Sequence, residues 1–580
     1  MTTKSSCRRA VPTLALALAI LAGSLPARAA EPDPAPRVAE PGVAVMAPDG
    51  VSLAERVVLN KSVVPLLLGT KVGEEIHLAD FPVAPGLRRG VRLTRHDVYA
   101  TDAILWRVDE SGQTEVPRSR LAMLWGESDA ADRTRVLTIV DPDAGTLEGY
   151  VETADGWNVV KPEAGAPDEY LVAPSGSLRG EEAGVLTTAC GEETLEAVAP
   201  EITPQTLTEP PAGASAITSL HDAVIAVDTD NEFLSLKFAD NTTSAANYIA
   251  SLLAFVSVIY ERDLLVRTKQ GTTYLRVSTA GDPWAQSGTG NADSAKLTEL
   301  RTYWAANYSS VSRAATILLS GKQGSASSSS GIAYVDVLCN KTYGYGFIQV
   351  FKYSGSTASS DVMVSAHELG HNFGSKHTHC YLSPTPIDTC YASESSCYSG
   401  ATSCPAPQTI SGIANVRGTL MSYCHQLSGC GLSTVFHPRT MDLLDPIIQA
   451  KVGVCINPST APPTPKEASP TGSLRARKGT GSSVVVTYAA ACGATNHTIY
   501  AGSLSTLRSQ GIVWSQRYCA QGISGTATFT PATGNQYFVI VGNNGTLEGS
   551  YGRRSGGAER PAAGAGGSCA YTQQLSGTCP

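Results

Sequence analysis

The chain is 580 residues long, which exceeds what a single hydrophobic core organises and indicates several structural units. Its composition is that of a globular protein, with 42% hydrophobic and 16% charged residues. A formal net charge of −8, with no long run of lysine or arginine, argues against a nucleic-acid partner.

The first 29 residues have the pattern of an export signal peptide. Basic residues at positions 4, 8 and 9 precede the apolar stretch 10–22, and Ala-Arg-Ala at 27–29 resembles a cleavage site. The apolar stretch is too short to remain as a membrane span, which takes about 20 residues. We therefore expect a secreted, extracellular and monomeric protein with no membrane span.

Residues 30–200 predict a β-rich pro-segment. Short alternating apolar stretches, broken by Gly, Pro and Asp, are typical of strands in this part of the chain. Residues 201–217 contain Pro and Glu and predict an exposed connector. A domain ahead of an accessible connector in an exported protein is a candidate for proteolytic removal.

Residues 218–457 alternate between strand and helix patterns, which predicts an α/β domain. Apolar or alternating runs predict strands at 223–229, 273–279, 314–321, 331–339 and 345–351. Amphipathic spacing predicts helices at 245–262, 292–308 and 360–373, and a short late helix at 441–450. Between the last two helices the chain is rich in cysteine, proline and glycine.

The C-terminal part begins with a Pro-rich linker at 458–473, of the stiff and extended kind. Strand-like runs at 482–490, 526–531 and 536–542 follow it. Residues 474–580 are therefore predicted to form a small β-sandwich.

Cysteine positions support this division, because an exported chain with many cysteines is expected to form disulfides. Four cysteines lie near the C-terminus, at 492, 519, 569 and 579. Eight others form an even set around the predicted α/β domain: Cys339, Cys380, Cys390, Cys397, Cys404, Cys424, Cys430 and Cys455. Cys190 is left without an obvious partner.

Three of the chain's ten histidines fall within HELGHNFGSKH, residues 367–377. His367 and His371 are one turn apart on the predicted helix, so both imidazoles can reach one cation. A continued helix would carry His377 to the wrong face. Gly374 lets the helix end and the chain turn back, because glycine adopts positive φ without penalty.

Three imidazoles leave one position of a tetrahedral zinc ion open, which is the arrangement of a catalytic rather than a structural site. Glu368, beside His367, can then act as the general base on a water that the zinc activates. His379 is a rival third ligand, but the spacing and the glycine favour His377.

The same stretch resembles the H-E-x-x-H-x-x-G-x-x-H signature of the metzincin zinc metallopeptidases, and GTLMSYC at 418–424 resembles their Met-turn. HELGHNFG following GIAYVDVLC particularly resembles the reprolysin (adamalysin) branch. The resemblance covers roughly residues 220–457. It implies one catalytic zinc with ligands His367, His371 and His377, the general base Glu368, and Met421 in the turn beneath the metal.

Two further residues depend on this resemblance. Tyr423, two residues after the methionine, is similar to a tyrosine of the astacin and serralysin branches, which implies an additional zinc contact or an oxyanion helper. Cys190, in TACGEE, resembles the cysteine switch of metzincin pro-segments, where a thiolate occupies the open zinc position and keeps the enzyme latent. An inert or differently paired thiol is the alternative.

The sequence thus predicts a metzincin-type α/β catalytic domain with a mixed sheet, an active-site helix and a Cys-rich C-terminal subdomain. A β-rich pro-segment and a C-terminal β-sandwich flank it. The expected function is that of a secreted zinc endopeptidase, made as a zymogen, that acts on protein or peptide substrates. Two alternatives stay open: a weak or inactive metalloprotease-like protein that binds through its C-terminal domain, and a zinc hydrolase of another bond. A role for Ca²⁺ is also left open.

Overall fold

The computed structural model describes the chain from residue 36 to residue 575, with gaps. The described ranges are 36–40, 42–47, 50–163, 165–178, 217–284, 294–322, 330–351, 359–459, 465–468, 474–494, 496–544, 547–554, 559–563 and 571–575. The predicted signal peptide and Cys190 lie outside these residues.

The N-terminal region contains eleven strands and one short α-helix among its described residues. They are β1 (Val43–Met46), β2 (Leu53–Val58), α1 (Val63–Gly69), β3 (Glu75–Ala84), β4 (Leu87–His96), β5 (Leu105–Asp109), β6 (Gly112–Val116), β7 (Ala122–Ser128), β8 (Arg135–Asp141), β9 (Thr146–Thr153), β10 (Gly156–Glu163) and β11 (Ala166–Pro174). Nine of them form an antiparallel sheet in the order β1-β2-β11-β10-β9-β8-β7-β4-β3. The β-rich region predicted from the sequence is therefore present.

This sheet has an apolar core on each face, because successive side chains of a strand point to opposite sides. In β7, Ala122 and Leu124 face a core that also contains α1, whereas Met123 and Trp125 face a core shared with residues 217–456. The N-terminal sheet is therefore packed on both faces.

The central region contains the predicted alternation of strands and helices. Its elements are β12 (His221–Thr229), α2 (Asn231–Phe238), α3 (Thr242–Leu264), β13 (Val266–Arg276), α4 (Ser294–Asn307), β14 (Ala315–Ser320), β15 (Gly331–Ala333), β16 (Tyr345–Gln349), α5 (Ser359–Phe373), β17 (Gln408–Ile410), β18 (Ile413–Val416), α6 (Pro438–Lys451) and β19 (Ile456–Pro458). β15 ends six residues earlier than the predicted strand 331–339, because Asp336 and Cys339 take positive φ values of 55° and 66° that a strand does not accommodate.

The central sheet is mixed, as predicted, but it includes two strands of the N-terminal region. Its order is β15-β16-β14-β12-β13-β5-β6, and β19 pairs with the start of β12. β5 runs parallel to β13, while β15, β6 and β19 are antiparallel to their neighbours. The sequence does not anticipate that β5 and β6 extend this sheet.

Helices cover both faces of the central sheet. In β12, Ile225 and Val227 face the core that contains α3 and α5, and Ala226 faces the core that contains α4. The N-terminal sheet packs against the far side of α3. Helix α5, which carries His367 and His371, therefore lies inside a layered core.

Among the described residues, α3 is the helix whose length and apolar composition would allow a membrane span. Its most apolar window is 78% buried within the protein, as in the core helix of a globular domain.

Disulfides connect the cysteine-rich part of the central region. All eight cysteines of the predicted even set pair with one another, as Cys339–Cys455, Cys380–Cys397, Cys390–Cys424 and Cys404–Cys430. Cys492 and Cys519 of the C-terminal region are also disulfide-bonded.

The C-terminal region contains two small sheets. Its elements are β20 (Arg475–Lys478), β21 (Val484–Thr487), β22 (Asn496–Ser503), α7 (Leu504–Gln510), β23 (Gln516–Tyr518), β24 (Thr526–Phe529), β25 (Gln536–Asn543), β26 (Leu547–Glu548) and β27 (Thr572–Gln573). The sheets have the orders β20-β21-β24 and β23-β22-β25-β26-β27. Val486 of one sheet and Ile499 of the other belong to the same small core.

Candidate metal centre

Helix α5 carries three of the predicted site residues. His367 and His371 are four residues apart, and one helical turn brings their ring centroids to 4.8 Å. Glu368 follows His367 directly. The three side chains are 3%, 6% and 1% exposed for His367, His371 and Glu368, so this part of the helix is buried.

The end of α5 positions the third histidine. The helix ends at Phe373, and Gly374 has a φ of +121°. A methyl group at this glycine would lie 2.6 Å from Cδ1 of Ile447 in α6, so both conformation and space require glycine. The chain then turns back and brings His377 to the two helical histidines, as the sequence predicts.

The imidazoles converge on one point through their Nε2 atoms. Nε2 of His371 lies 3.1 Å from Nε2 of His367 and 3.1 Å from Nε2 of His377. Zinc bonds to histidine nitrogen of about 2.0–2.1 Å in tetrahedral geometry place the ligand atoms about 3.3 Å apart. The spacing of the three nitrogens therefore fits one zinc ion.

The other ring nitrogens show which atoms are available to a metal. The Nδ1 atoms of His367 and His371 lie 2.8 Å from the backbone oxygens of Leu420 and Ser375, respectively. Since a carbonyl oxygen only accepts hydrogen bonds, both Nδ1 atoms must donate. In a neutral ring the Nε2 lone pair then points at the cluster, where a cation relieves the repulsion between neighbouring lone pairs.

Burial keeps these rings neutral. Burial, followed by the proximity of the other histidines, holds the pKa of His367 well below 6.5 and lowers the pKa of His371 to about 3. Neutral imidazole is the form that coordinates metals. His367 and His371 are thus in a metal-binding protonation state at neutral pH.

The predicted Met-turn lies beneath α5. Met421 is 1% exposed, and a methyl group at Gly370 would lie 2.6 Å from its sulfur atom. The backbone oxygen of Met421 accepts a hydrogen bond of 3.0 Å from the amide of Thr378. The turn therefore contacts α5 between its two histidines and also holds the chain next to His377.

Tyr423 is fully buried beside the cluster. Its hydroxyl oxygen lies 3.1 Å from Nε2 of His377, and its ring centroid lies 4.5 Å from that of His377. The structure therefore brings the tyrosine hydroxyl to the point on which the three histidines converge.

His379, the rival third ligand of the sequence analysis, lies against Glu394. It is fully buried, and its Nε2 atom lies 2.8 Å from Oε2 of Glu394. The same carboxylate oxygen lies 2.7 Å from Nδ1 of His377. Since an ionised carboxylate only accepts, both rings must present an N–H to it, which leaves Nε2 of His377 free for a metal.

Sequence reasoning missed Glu394. Burial would raise its pKa, but the hydrogen bonds from His377 and His379 outweigh burial and hold the pKa of Glu394 well below 4.5. The loop between Cys380 and Cys397 contains only two acidic residues, Asp388 and Glu394. Their position shortly after His377 was the one sequence signal that could have indicated a carboxylate partner for this histidine. The disulfide closes the loop that carries this carboxylate.

Asn372 is a second residue that the sequence analysis did not single out. Its Nδ2 atom donates to the backbone oxygens of Tyr334 and Tyr345 at 2.9 and 3.0 Å. These contacts attach the last turn of α5 to the chain after β15 and to the start of β16. Asn372 therefore fixes the helix that carries the first two histidines.

Two other clusters of potential ligands occur among the described residues. One combines His377, His379 and Glu394 with Cys380, and the other combines Cys390, Cys424 and Cys430. All four cysteines are disulfide-bonded and cannot act as thiolate ligands. The cluster of three histidines therefore has the best donor set for a metal.

Comparison with known proteins agrees with this chemistry. Residues 221–418 match the family model Reprolysin_5, described as Metallo-peptidase family M12. The match supports a metzincin-like metallopeptidase and, through its family, implies zinc. No curated protein is significantly similar to the chain.

Solved structures give only weak similarity. A chaperone–substrate complex matches with 12% identity and a TM-score of 0.21 over 27% of this chain and 27% of that one. Catalytically inactive OgpA from Akkermansia muciniphila, in complex with an O-glycopeptide, matches with 12% identity and a TM-score of 0.22 over 57% of this chain and 88% of that one. Wild-type OgpA matches with 12% identity and a TM-score of 0.21 over 58% and 88%. These scores are too low to support a structural argument.

Proposed function

We propose that the protein is a secreted zinc-dependent endopeptidase that is made as a zymogen and acts as a monomer on protein or peptide substrates. The observation that carries the proposal is the convergence of three histidine Nε2 atoms, with neighbouring separations of 3.1 Å, next to a buried glutamate. Their Nδ1 atoms all face acceptors, so the lone pairs are directed to one point.

His367, His371 and His377 would hold the zinc ion in this proposal. When bound, zinc supplies a Lewis acid that polarises a carbonyl and makes water nucleophilic near neutral pH. The backbone oxygens of Leu420 and Ser375 and the carboxylate of Glu394 orient the three rings. These outer contacts are expected to contribute to metal affinity.

Glu368 is the proposed general base. Glu368 follows His367 directly on α5, and its carboxylate is not part of the cluster that the three histidine nitrogens form. A carboxylate in this place takes the proton from the attacking water and passes it to the leaving amine. Peptide hydrolysis then needs no covalent enzyme intermediate.

Tyr423 is the proposed helper at the reacting carbonyl. Its hydroxyl lies 3.1 Å from Nε2 of His377, within reach of the metal position. A phenol there can bind the metal or donate a hydrogen bond to the oxyanion that develops during attack. Tyr423→Phe should separate these roles, since loss of a zinc ligand lowers metal affinity and loss of a donor lowers kcat alone.

Latency is proposed to involve Cys190, whose thiolate would take the open metal position. Cys190→Ala in the uncut protein should then raise peptidase activity. Unchanged latency would exclude the switch. The measurement compares initial rates of uncut wild-type and variant protein, with Cys190→Ser as a matched variant that keeps the size but not the thiolate.

An inactive protein that binds through its C-terminal region is the alternative function, and a hydrolase of another bond is a third. The presence of Glu368 beside the histidines favours an active peptidase over an inactive relative. Casein degradation that a chelator abolishes and zinc restores tests the proposal. Full activity in the presence of chelator, or no casein degradation by cut and zinc-loaded protein, would contradict it.

A further inference from the structure

We propose that residues 36–178 stay bound to the rest of the protein after the chain is cut between residues 178 and 217, as a non-covalent subunit of the active enzyme. This inference concerns the fate of the pro-segment and rests on the proposed function only for the cutting step. Its structural basis is an interface that has strand pairing, a buried ion cluster and a shared apolar core.

Strand pairing forms the first part of the interface. Leu105 to Val108 of β5 pair with Thr273 to Arg276 of β13, so the N-terminal region continues the central sheet. Before β5, the backbones of Val98 and Ala100 exchange hydrogen bonds of 2.7 and 2.9 Å with Gln270. Removal of these residues would leave β13 as an unpaired edge, which exposes backbone donors and acceptors.

A buried ion cluster forms the second part. The side chain of Arg262, in α3, is fully buried and contacts Glu152 of β9 at 2.5 Å and Asp263 at 2.7 Å. Glu152 is itself 2% exposed. Release of the N-terminal region would take away one of the two carboxylates that balance this guanidinium, and an undercompensated buried charge is strongly unfavourable.

Aromatic contacts extend the same surface along α3. Tyr150 packs edge-on against Phe255 with a centroid distance of 4.3 Å. The indole nitrogen of Trp125 donates to Glu261 at 3.1 Å in a buried position. Large aromatic groups in the centre of a contact surface contribute much of its binding energy.

The ion cluster also contacts the floor of the metal centre. Asp263 accepts a 2.9 Å hydrogen bond from the amide of Phe436, and the neighbouring Val435 oxygen accepts one of 2.7 Å from the amide of Leu420. The Leu420 oxygen in turn accepts from Nδ1 of His367. The N-terminal region therefore supports the segment on which a proposed metal ligand rests.

These contacts lie on α3, β13 and the chain around Phe436, whereas the three histidines lie on α5 and the turn that follows it. Continued binding of residues 36–178 is thus compatible with an accessible metal centre. In this scheme, activation by cutting does not require loss of the β-rich region.

The test introduces a recognition sequence for a site-specific protease between residues 178 and 217 of the full-length protein. After cutting, gel filtration at about 1 µM in native buffer should give one peak with both fragments, which separate only in denaturant. Elution of the fragments in two native peaks would overturn the proposal. This experiment measures association of the two fragments. Its result therefore does not depend on whether the protein has the proposed peptidase activity.

A matched pair of variants tests the ion cluster. Glu152→Gln removes the buried charge opposite Arg262, and Asp143→Asn removes an exposed charge from the turn between β8 and β9. The cut Glu152→Gln protein should dissociate about tenfold or more faster than cut wild type, while the Asp143→Asn protein should match wild type. Equal dissociation of both variants would contradict the role assigned to Glu152. The wild-type experiment still decides the main proposal if Glu152→Gln does not fold.

Discussion

Gly331 lies so close to Glu368 that a methyl group on its α-carbon would come within 2.3 Å of Oε1 of the glutamate. Gly331 is the first residue of β15, which stands at one end of the strand order of the central sheet. This strand contacts α5. The carboxylate therefore rests against a bare stretch of strand backbone. Only glycine leaves room for the Glu368 side chain in this position.

Gly331→Ala should displace the Glu368 carboxylate and leave the histidine cluster in place. Misplacement of a catalytic group by about 1 Å can lower the rate about 100-fold, so we expect a loss of that size in kcat/KM. Zinc content should remain that of the wild type. Steady-state kinetics and metal analysis on the same preparation check both expectations.

Gly346→Ala is the control for this variant. Gly346 lies in the adjacent strand β16, and its added methyl group would meet Cβ of Ala333 at 3.5 Å, an ordinary van der Waals distance. Activity close to wild type is expected. If Gly331→Ala kept full activity, Glu368 would not need the position that the structure gives it.

Glu394 should contribute to zinc affinity, because it orients His377 through Nδ1 and keeps its Nε2 lone pair available. Loss of such an outer contact typically costs 10- to 100-fold in metal affinity. We expect a loss in that range for Glu394→Ala and a smaller one for Glu394→Gln, which keeps an acceptor oxygen. Competition with a chromophoric chelator measures the affinity.

Asp388→Asn supplies the matched control, since Asp388 is the other acidic residue of the same disulfide-closed loop. Its zinc affinity should equal that of wild type. An unchanged affinity in Glu394→Ala would show that the carboxylate does not orient the metal ligand.

His377 and His379 should differ in their effect on metal content. Nε2 of His377 lies 3.1 Å from Nε2 of His371, whereas Nε2 of His379 faces Glu394. His377→Ala is therefore expected to lose stoichiometric zinc, and His379→Ala to retain it with a lower affinity. Elemental analysis after gel filtration decides between them, and the opposite outcome would move the third ligand to His379.

The parts of the site that depend on local geometry were predictable from the sequence. The four-residue spacing of His367 and His371 needs only a helix, and Gly374 marks where that helix ends. The pairing of β5 with β13 was not predictable, because it joins segments far apart in the chain and no local pattern specifies the partner. Glu394 was missed for the same reason, since only the folded loop brings it to His377.

Local signals also failed where an element is short. Helix α2 has eight residues, too few for a clear periodic pattern, and the sequence analysis did not predict it. Its start is fixed by Asp230, whose side chain accepts a 2.7 Å hydrogen bond from the amide of Phe233. Burial of Phe233 and Leu234 in the core then holds a helix that would be marginal alone.

Asp230 should make the stability of the protein depend on pH. Burial raises the pKa of this carboxyl from 3.8 to about 6. A raised folded-state pKa gives a contribution that is fully present below about pH 4 and lost as the pH rises through about 6, up to about 3 kcal/mol. Asp230→Asn should remove this loss, because Oδ1 can still accept from Phe233 and Gly321.

Denaturant unfolding at pH 4, 5, 6 and 7 measures the effect. The control variant is Asp240→Asn, at an exposed residue just after α2. The difference between Asp230→Asn and wild type should grow with pH in favour of the variant. A difference that is constant across this range, or equal to that of Asp240→Asn, would contradict the predicted ionisation.

The most direct measurement is mass spectrometry of a peptide library digested by wild-type and Glu368→Gln protein, each cut, zinc-loaded and assayed for metal. Both proteins should contain one zinc per chain, because Glu368 is not a ligand, and only the wild type should produce new peptide termini. Cleavage by Glu368→Gln at the wild-type rate, or wild-type protein that binds no zinc, would contradict the account.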